Sequence, residues 1–309
     1  MTTAVVFAYH DVGVRCLSVL LAQGVEVPLV VTHRDAPGEP IWFASVAKLA
    51  AEHDLPVLMP EDANEGEIVR AVATARPDFL FSFYFRQMLK APLLSLPRRG
   101  ALNIHGSLLP KYRGRVPINW AILHGERETG ASLHYMTEKP DAGDLVDQQA
   151  VPILPDDTAL DVFRKVTCAA EMVLHRSLPA LINGTAPRIP LDLSQGSYFG
   201  ARRPEDGRID WSRPARAIHD LVRAVAPPFP GALCTVAGRP ARLLRTRLLP
   251  ERRSPTLTAT LIAENERLLI HGCDGGLLRV LELEVEGQMV TAATLPALCG
   301  PGPWPLGSG

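Results

Sequence analysis

Asn103 and His105 stand two residues apart in the run Leu102-Asn103-Ile104-His105-Gly106. In a strand, positions i and i+2 share a face, so an amide and an imidazole would project together where Gly106 ends the run. Histidine has the side-chain pKa nearest neutrality, and an asparagine amide can hold developing negative charge without giving up a proton, a pairing suited to acyl transfer. The same two residues also fit a plainer role, a histidine capping backbone groups at a strand end beside a turn asparagine. Asp141 adds weight to the chemical reading. It lies in a turn between two strand-like runs, 129–135 and 144–153. A carboxylate packed on His105 would favour the imidazolium and fix its tautomer.

The elements that must position these groups alternate in type. Apolar runs at 4–8, 25–32, 56–58, 78–82 and 102–105 read as strands, and the spacing predicts helices over 12–23, 42–53 and 65–75, the first capped by Asp11 and stopped by Gly24. Such alternation predicts a mostly parallel, Rossmann-like α/β sheet with its ligands at the carboxyl edge. The first turn, Ala8-Tyr9-His10-Asp11-Val12-Gly13, has one glycine where a dinucleotide fingerprint needs three, which weakens an NAD-type oxidoreductase. His10 there reads as a turn residue. Tyr84, Arg86, Gln87 and Met88 leave the 78–82 strand on the same edge as His105. Lys111, Arg113 and Arg115 alternate around Gly114 in a loop able to wrap an anion, though solvated loop charges fit the pattern too. A helix is expected over 117–124. His124 and His134 have no ligand spacing and read as structural.

Asp156-Asp157-Thr158 should cap a long helix over 159–183 that lays its apolar stripe on the sheet and ends at Gly184. The turn-rich stretch 195–207 marks a domain boundary, giving domains of 1–203 and 204–309. Beyond it come a helix over 213–224 and short runs at 232–236, 241–248, 256–262, 266–271 and 277–285, with Asp274-Gly275-Gly276 as a hairpin turn. Five such strands predict a small β-barrel. The proline- and glycine-rich end, 300–309, reads as a loose tail.

Composition narrows the function. At 309 residues with 47% hydrophobic residues the chain can build two cored domains, and a net charge of −1, from 32 Lys and Arg against 33 Asp and Glu, offers no global field for a nucleic acid. Cys16, Cys168, Cys234, Cys273 and Cys299 are scattered, odd in number and without a CxxC pair, which disfavours a disulfide framework and a zinc site. A strand begins almost at once, with no basic n-region and no apolar run near the roughly 18 residues of a membrane span. The expectation is a cytoplasmic protein without metal or membrane insertion. The sequence leaves its oligomeric state open.

Asn103, the run His105-Gly106-Ser107-Leu108-Leu109-Pro110, and Asp141-Ala142-Gly143 together resemble the signature of the folate-dependent formyltransferases, whose catalytic triad is Asn, His and Asp. The resemblance covers nearly the whole chain and is densest over 78–143. The longer run to Arg115, with Asn119-Trp120 after it and Phe81-Ser82-Phe83-Tyr84 before it, is most similar to the members that act on UDP-4-amino-4-deoxy-L-arabinose in lipid A modification and polymyxin resistance. The resemblance implies a formyltransferase fold with an OB-like second domain, and transfer of a formyl group from 10-formyltetrahydrofolate to the sugar 4-amine. It assigns catalysis to Asn103, His105 and Asp141, and folate binding to Gln87, Met88, Leu89, Arg115 and 137–141, that is Thr137, Glu138, Lys139, Pro140 and Asp141. Tyr84, Arg113, Tyr198 and Arg202 become candidate contacts for the nucleotide sugar. Where such a formyltransferase is joined to a dehydrogenase module, that module follows it; the chain ends without one, so oxidation of the sugar is expected from a separate protein.

In the implied chemistry the amine attacks the formyl carbon, Asn103 and protonated His105 hold the oxyanion, and His105 moves protons to the leaving nitrogen. Ser107 lacks the nucleophile elbow G-x-S-x-G, so no covalent intermediate is expected. Three rivals remain: a methionyl-tRNA formyltransferase, which shares the triad and the fold, a hydrolase of the same folate, and a folate- or nucleotide-binding protein without turnover, which would not need all three triad residues. Another nucleotide-linked amino sugar is a further alternative acceptor.

Overall fold

The computed structural model describes residues 1–36, 38–250, 254 and 258–308. The chain divides into two compact units, one of Met1–Pro117, Glu128–Pro152 and Arg164–Gly200, the other of Ile118–Arg127, Ile153–Phe163 and Ala201–Gly309.

The first unit alternates β1 (Thr3–Ala8), α1 (His10–Ala22), β2 (Glu26–Val31), α2 (Val46–Glu52), β3 (Val57–Leu58), α3 (Gly66–Ala75), β4 (Phe79–Phe83), the short α4 (Ala91–Leu94) and β5 (Gly100–His105). Then follow in chain order β6 (Arg113–Gly114), α5 (Pro117–Leu123), β7 (Glu128–Tyr135), β8 (Leu145–Pro152), α6 (Ala159–Asn183) and β9 (Tyr198–Phe199), of which nearly all of α5 and the first turn of α6 belong to the second unit. The sheet has seven strands in the order β3-β2-β1-β4-β5-β7-β8. β3 to β5 are parallel, and β7 and β8 add an antiparallel margin. Central strands of a parallel sheet are covered on both faces and therefore read as unbroken apolar runs. Ala4 to Ala8 is such a run, and Phe79 to Phe83 is interrupted only by Ser82; both are buried throughout. Strand order reverses between β1 and β4, which places a crevice at their carboxyl ends.

Several boundaries shift for local reasons. Tyr9, in extended conformation, is the N-cap of α1, and Asp11 falls in the first turn, where its carboxylate accepts from the Ala44 N–H at 2.8 Å instead of capping the helix. The helix expected from residue 42 starts at Val46, because the Ser45 hydroxyl accepts from the Lys48 N–H. Trp42 and Phe43 are left in the preceding loop, packed on the His10 ring. α6 runs over the expected residues. Thr158 and Asp161 cap it reciprocally, and a buried stripe of Val166, Ala170, Val173, Leu174 and Leu178 follows helical spacing.

The second unit holds α7 (Ala215–Ala224), β10 (Ala232–Val236), β11 (Arg239–Leu248), β12 (Thr260–Glu264), β13 (Arg267–His271), β14 (Leu277–Val285), β15 (Gln288–Val290), α8 (Leu295–Cys299) and β16 (Trp304–Gly307). The order β11-β10-β16-β12-β13-β14 closes through β14 on β11, giving a six-stranded barrel with β15 beside β14. Residues 256 and 257 of the strand expected at 256–262 lie outside the described residues. The loose tail expected at 300–309 is wrong for 304–307. β16 pairs with both β10 and β12 and completes the ring that five strands leave open. Burial of the Trp304 indole, 2% exposed and donating to the Gly300 carbonyl, holds it there against the low strand propensity of Pro305.

Candidate active site

Asn103 and His105 share a face of β5 at the carboxyl edge of the sheet, as period 2 requires. β7 runs antiparallel beside β5 in a register that sets His134 directly opposite Asn103. The Asn103 amide N–H meets His134 Nε2 at 3.1 Å, while His134 Nδ1–H donates to the Tyr135 carbonyl at 2.8 Å. Nε2 thus faces both the Asn103 amide and Asp141: it accepts from the amide when the ring is neutral and turns a proton to the carboxylate when the ring is protonated. His134, read from sequence as structural, is therefore part of the cluster. The signal for it was the pair Ser132 and His134, polar at i and i+2 in a strand where both are 0–1% exposed and need partners.

Asp141 occupies the turn between β7 and β8 with φ +48°. Its Oδ1 lies 3.6 Å from both His105 Nδ1 and His134 Nε2, and its Oδ2 accepts from the Gly114 N–H at 2.8 Å. Burial alone would raise this carboxyl, but the two imidazoles and the Gly114 N–H outweigh it and hold Asp141 well below the usual carboxylate range. His105 Nε2–H donates to the Tyr112 carbonyl at 2.7 Å, which leaves Nδ1 as the nitrogen facing the carboxylate.

Folding thus favours ionised Asp141, and the unfolded chain binds its proton more readily. The stability it confers is present above the ordinary carboxylate pKa, near 4, and is lost as pH falls from there towards the depressed value. Between about pH 5 and pH 2, the denaturation midpoint of the wild type should therefore fall more steeply than that of Asp141→Asn. Parallel pH profiles would contradict the ionised, two-imidazole arrangement.

The loop carrying Tyr112 and Gly114 is pinned by a distant segment. β6 pairs with β9, the Tyr112 N–H donates to Ser197 Oγ at 2.9 Å, and the Arg113 and Arg115 N–H groups donate to the Ser197 and Phe199 carbonyls. Gly114 has φ +96°, and a Cβ there would run into the Phe199 carbonyl oxygen. On the other side Ser132 Oγ ties the loop to β7, accepting from the Leu109 N–H and donating to the Ser107 carbonyl.

The remaining expected residues differ in burial and in partners. Tyr84, with φ +55°, brings its hydroxyl against Gly106, and burial raises its pKa. Arg113 is 9% exposed, not a solvated loop charge, with its guanidinium 6.0 Å from the Tyr198 ring centroid and its Nε without a hydrogen-bond partner. Arg115 is exposed and reaches the Arg86 carbonyl at 3.4 Å. The Gln87 side chain is engaged by main chain, donating to the Glu61 carbonyl and accepting from the Ala63 N–H. Met88 is 48% exposed, and Leu89 is buried. Thr137, Glu138 and Lys139 are exposed, and Pro140 is half-buried before Asp141. Arg202 is in the second unit, its guanidinium over the Trp120 ring at 5.3 Å. Among the described residues no group of three or more His, Cys, Asp or Glu is placed to hold a metal ion, and no helix is long and apolar enough to cross a membrane.

Residues 17–178 match the formyl transferase family, and residues 202–295 match the formyl transferase C-terminal domain. The chain belongs to the formyl transferase family. Solved structures share the fold of this formyltransferase at low identity. An N-formyltransferase from Helicobacter canadensis, in complex with folinic acid and dTDP-3-aminofucose, is 22% identical with a TM-score of 0.71, covering 91% of this chain and 99% of that one. The sugar 3N-formyl transferase WlaRD, solved in the presence of dTDP and 5-N-formyl-THF, is 21% identical with a TM-score of 0.72, covering 93% and 99%. A 4-N formyltransferase from Francisella tularensis is 21% identical with a TM-score of 0.61, covering 75% and 91%.

Proposed function

We propose that this formyltransferase moves a formyl group from 10-formyltetrahydrofolate to the 4-amine of UDP-4-amino-4-deoxy-L-arabinose, acting in the cytoplasm in the modification of lipid A that confers polymyxin resistance. The catalytic domain is 1–203, and 204–309 is the accessory domain. The observation that carries the reading is the Asp141 carboxylate held between two imidazoles, with the Asn103 amide fixed beside them at the end of β5. Solved structures of the same fold with a formyl folate and a nucleotide or amino-sugar nucleotide support the substrate classes.

The donor supplies an electrophilic formyl carbon. Exposed Met88, the main chain of 87–89 and 137–140, and the exposed Arg115 fit a flat polar molecule carrying an acidic tail, and would hold it. Asn103 presents its second amide N–H to the oxygen where negative charge develops, its orientation set by His134. His105 takes and returns the proton at Nδ1, since Nε2–H is held on the Tyr112 carbonyl. Asp141 stabilises the imidazolium. Tyr84, Arg113, Tyr198 and Arg202 are proposed for the nucleotide sugar. Asn103→Ala should lower kcat about 10²-fold, the magnitude seen for one oxyanion donor. A change confined to KM would make the amide a binding group.

Charge on the barrel favours the sugar over methionyl-tRNA. The arginines of β11 face carboxylates, Arg239 with Glu286 at 2.8 Å, Arg245 with Glu282 at 3.2 Å, and Arg242 with Glu284 and Arg247 with Asp156 at 3.7 Å. A polyanion would have to displace these acids. Assayed side by side, the amino-sugar nucleotide should be formylated with little dependence on salt and methionyl-tRNA should not react. Efficient formylation of the tRNA would reject the proposal. The dTDP-amino sugar bound by the Helicobacter canadensis protein makes another nucleotide-linked amino sugar the second reading, and consumption of a dTDP-sugar alone would select it.

A further inference from the structure

Two groups compete for one nitrogen of His134. The side chain is 1% exposed, and its Nδ1–H is held on the Tyr135 carbonyl, so the ring keeps its place and meets the rest of the site through Nε2. That nitrogen lies 3.1 Å from the Asn103 amide and 3.6 Å from Asp141 Oδ1, and the same carboxylate oxygen lies 3.6 Å from His105 Nδ1. Of the titratable and charged groups around the ring, Asp141 faces it from the turn between β7 and β8, and His105 stands across that carboxylate on β5. β8 sets Leu145 opposite it, and Tyr135, under the Arg188 guanidinium, points to the other face of β7. A neutral ring offers Nε2 as a lone pair, which the amide N–H fills. Asn103 is then fixed with its second N–H left for the oxyanion, and the Asp141 charge is left to His105. A protonated ring offers an N–H instead. Two donors cannot share that contact, so the Asn103 side chain must turn, and a half turn sets its oxygen on the ring and carries the NH2 group away. The same proton turns to Asp141, which is then engaged by His134 as well as by His105.

We propose that His134 is a positioning residue that must be neutral for formyl transfer: a proton on its Nε2 withdraws the oxyanion donor and draws the counter-charge of His105 away, and so switches the site off. The inference rests on the reading of Asn103 as the oxyanion donor. It gives the two imidazoles opposite needs, since His105 takes up a proton during the reaction and His134 must not hold one. Burial raises the stakes of the choice, because a buried polar group that loses its partner has no water to replace it.

Turnover gives one test and the amide itself another. His134→Leu, which offers Asn103 no acceptor, should lower kcat about tenfold or more with KM nearly unchanged, towards the loss of about 10² expected from removing an oxyanion donor outright. His134→Gln can accept the same bond through its carbonyl oxygen and does not titrate, so it should recover most of that loss. The ratio of its kcat to that of the wild type should rise as pH falls, a comparison in which proton uptake by substrate cancels. Added to Asn103→Ala, His134→Leu should lower kcat no further, because a residue that acts through the amide has nothing left to position. In full chain isotope-labelled at asparagine nitrogen, without substrate, the Asn103 side-chain amide signal, identified by its absence from Asn103→Ala, should move with the titration of the His134 ring and hold still in His134→Gln. A flat kcat ratio, losses that multiply in the double variant, an amide that ignores the ring, or a ring that keeps one protonation state wherever the chain is folded would each overturn the proposal. Full turnover in folded His134→Leu beside a clear loss in Asn103→Ala removes the positioning role alone. Near-normal turnover in Asn103→Ala rejects the oxyanion reading and the proposal with it.

Discussion

Replacing Asp141 with asparagine is expected to lower kcat by about 10²–10⁴, the range attributed to positioned acid–base groups, with the fold retained. The carboxylate faces both His105 Nδ1 and His134 Nε2, at 3.6 Å from each. Asparagine keeps the size of the side chain, and its oxygen can still accept from the Gly114 N–H, so the loop should stay in place. What it removes is the negative charge that favours imidazolium at His105. The loss should therefore appear in kcat, with KM for both substrates nearly unchanged. His105→Ala should fall by a similar factor, and the double variant should be little worse than either single one, because the two act as a unit. Near-normal turnover in Asp141→Asn, or losses that simply multiply in the double variant, would remove the pair from the chemistry.

Gly114→Ala should damage both stability and turnover without touching a charged group. At φ +96° an alanine is strained, and its methyl would meet the Phe199 carbonyl. Displacing β9 or twisting the loop is expected to cost about 2–4 kcal/mol, from left-handed backbone strain and overpacking together. Any shift also pulls the Gly114 N–H from Asp141 Oδ2 and moves the Tyr112 carbonyl that anchors His105. Thermal unfolding and kcat should both decline. A variant of wild-type stability and rate would show that the loop has room that the close approach of β6 and β9 denies.

Much of the site was readable because its logic is local. Period 2 puts Asn103 and His105 on one face, alternating strands and helices give a parallel sheet with ligands at its carboxyl edge, and turn residues put Asp141 between two strands. Each inference needs only neighbours a few residues apart. Short strands with a Gly-rich hairpin likewise announce a barrel.

What the tertiary structure alone decided depends on register and on contacts between distant segments. His134 enters the site because β7 turns antiparallel and slides to the register that faces it to Asn103, and no periodicity within 129–135 encodes that offset. The clamp on the catalytic loop comes from Ser197, 85 residues beyond Tyr112. The family resemblance assigns Gln87 to the folate, and only the structure shows that its side-chain amide is engaged by the main chain of 61–63. β16 looks like a disordered end until its tryptophan finds a core and its backbone finds two open strand edges. Local sequence fixes which face of an element a side chain occupies; which faces then meet follows from burial and backbone pairing over the whole chain, and only the folded structure contains that information.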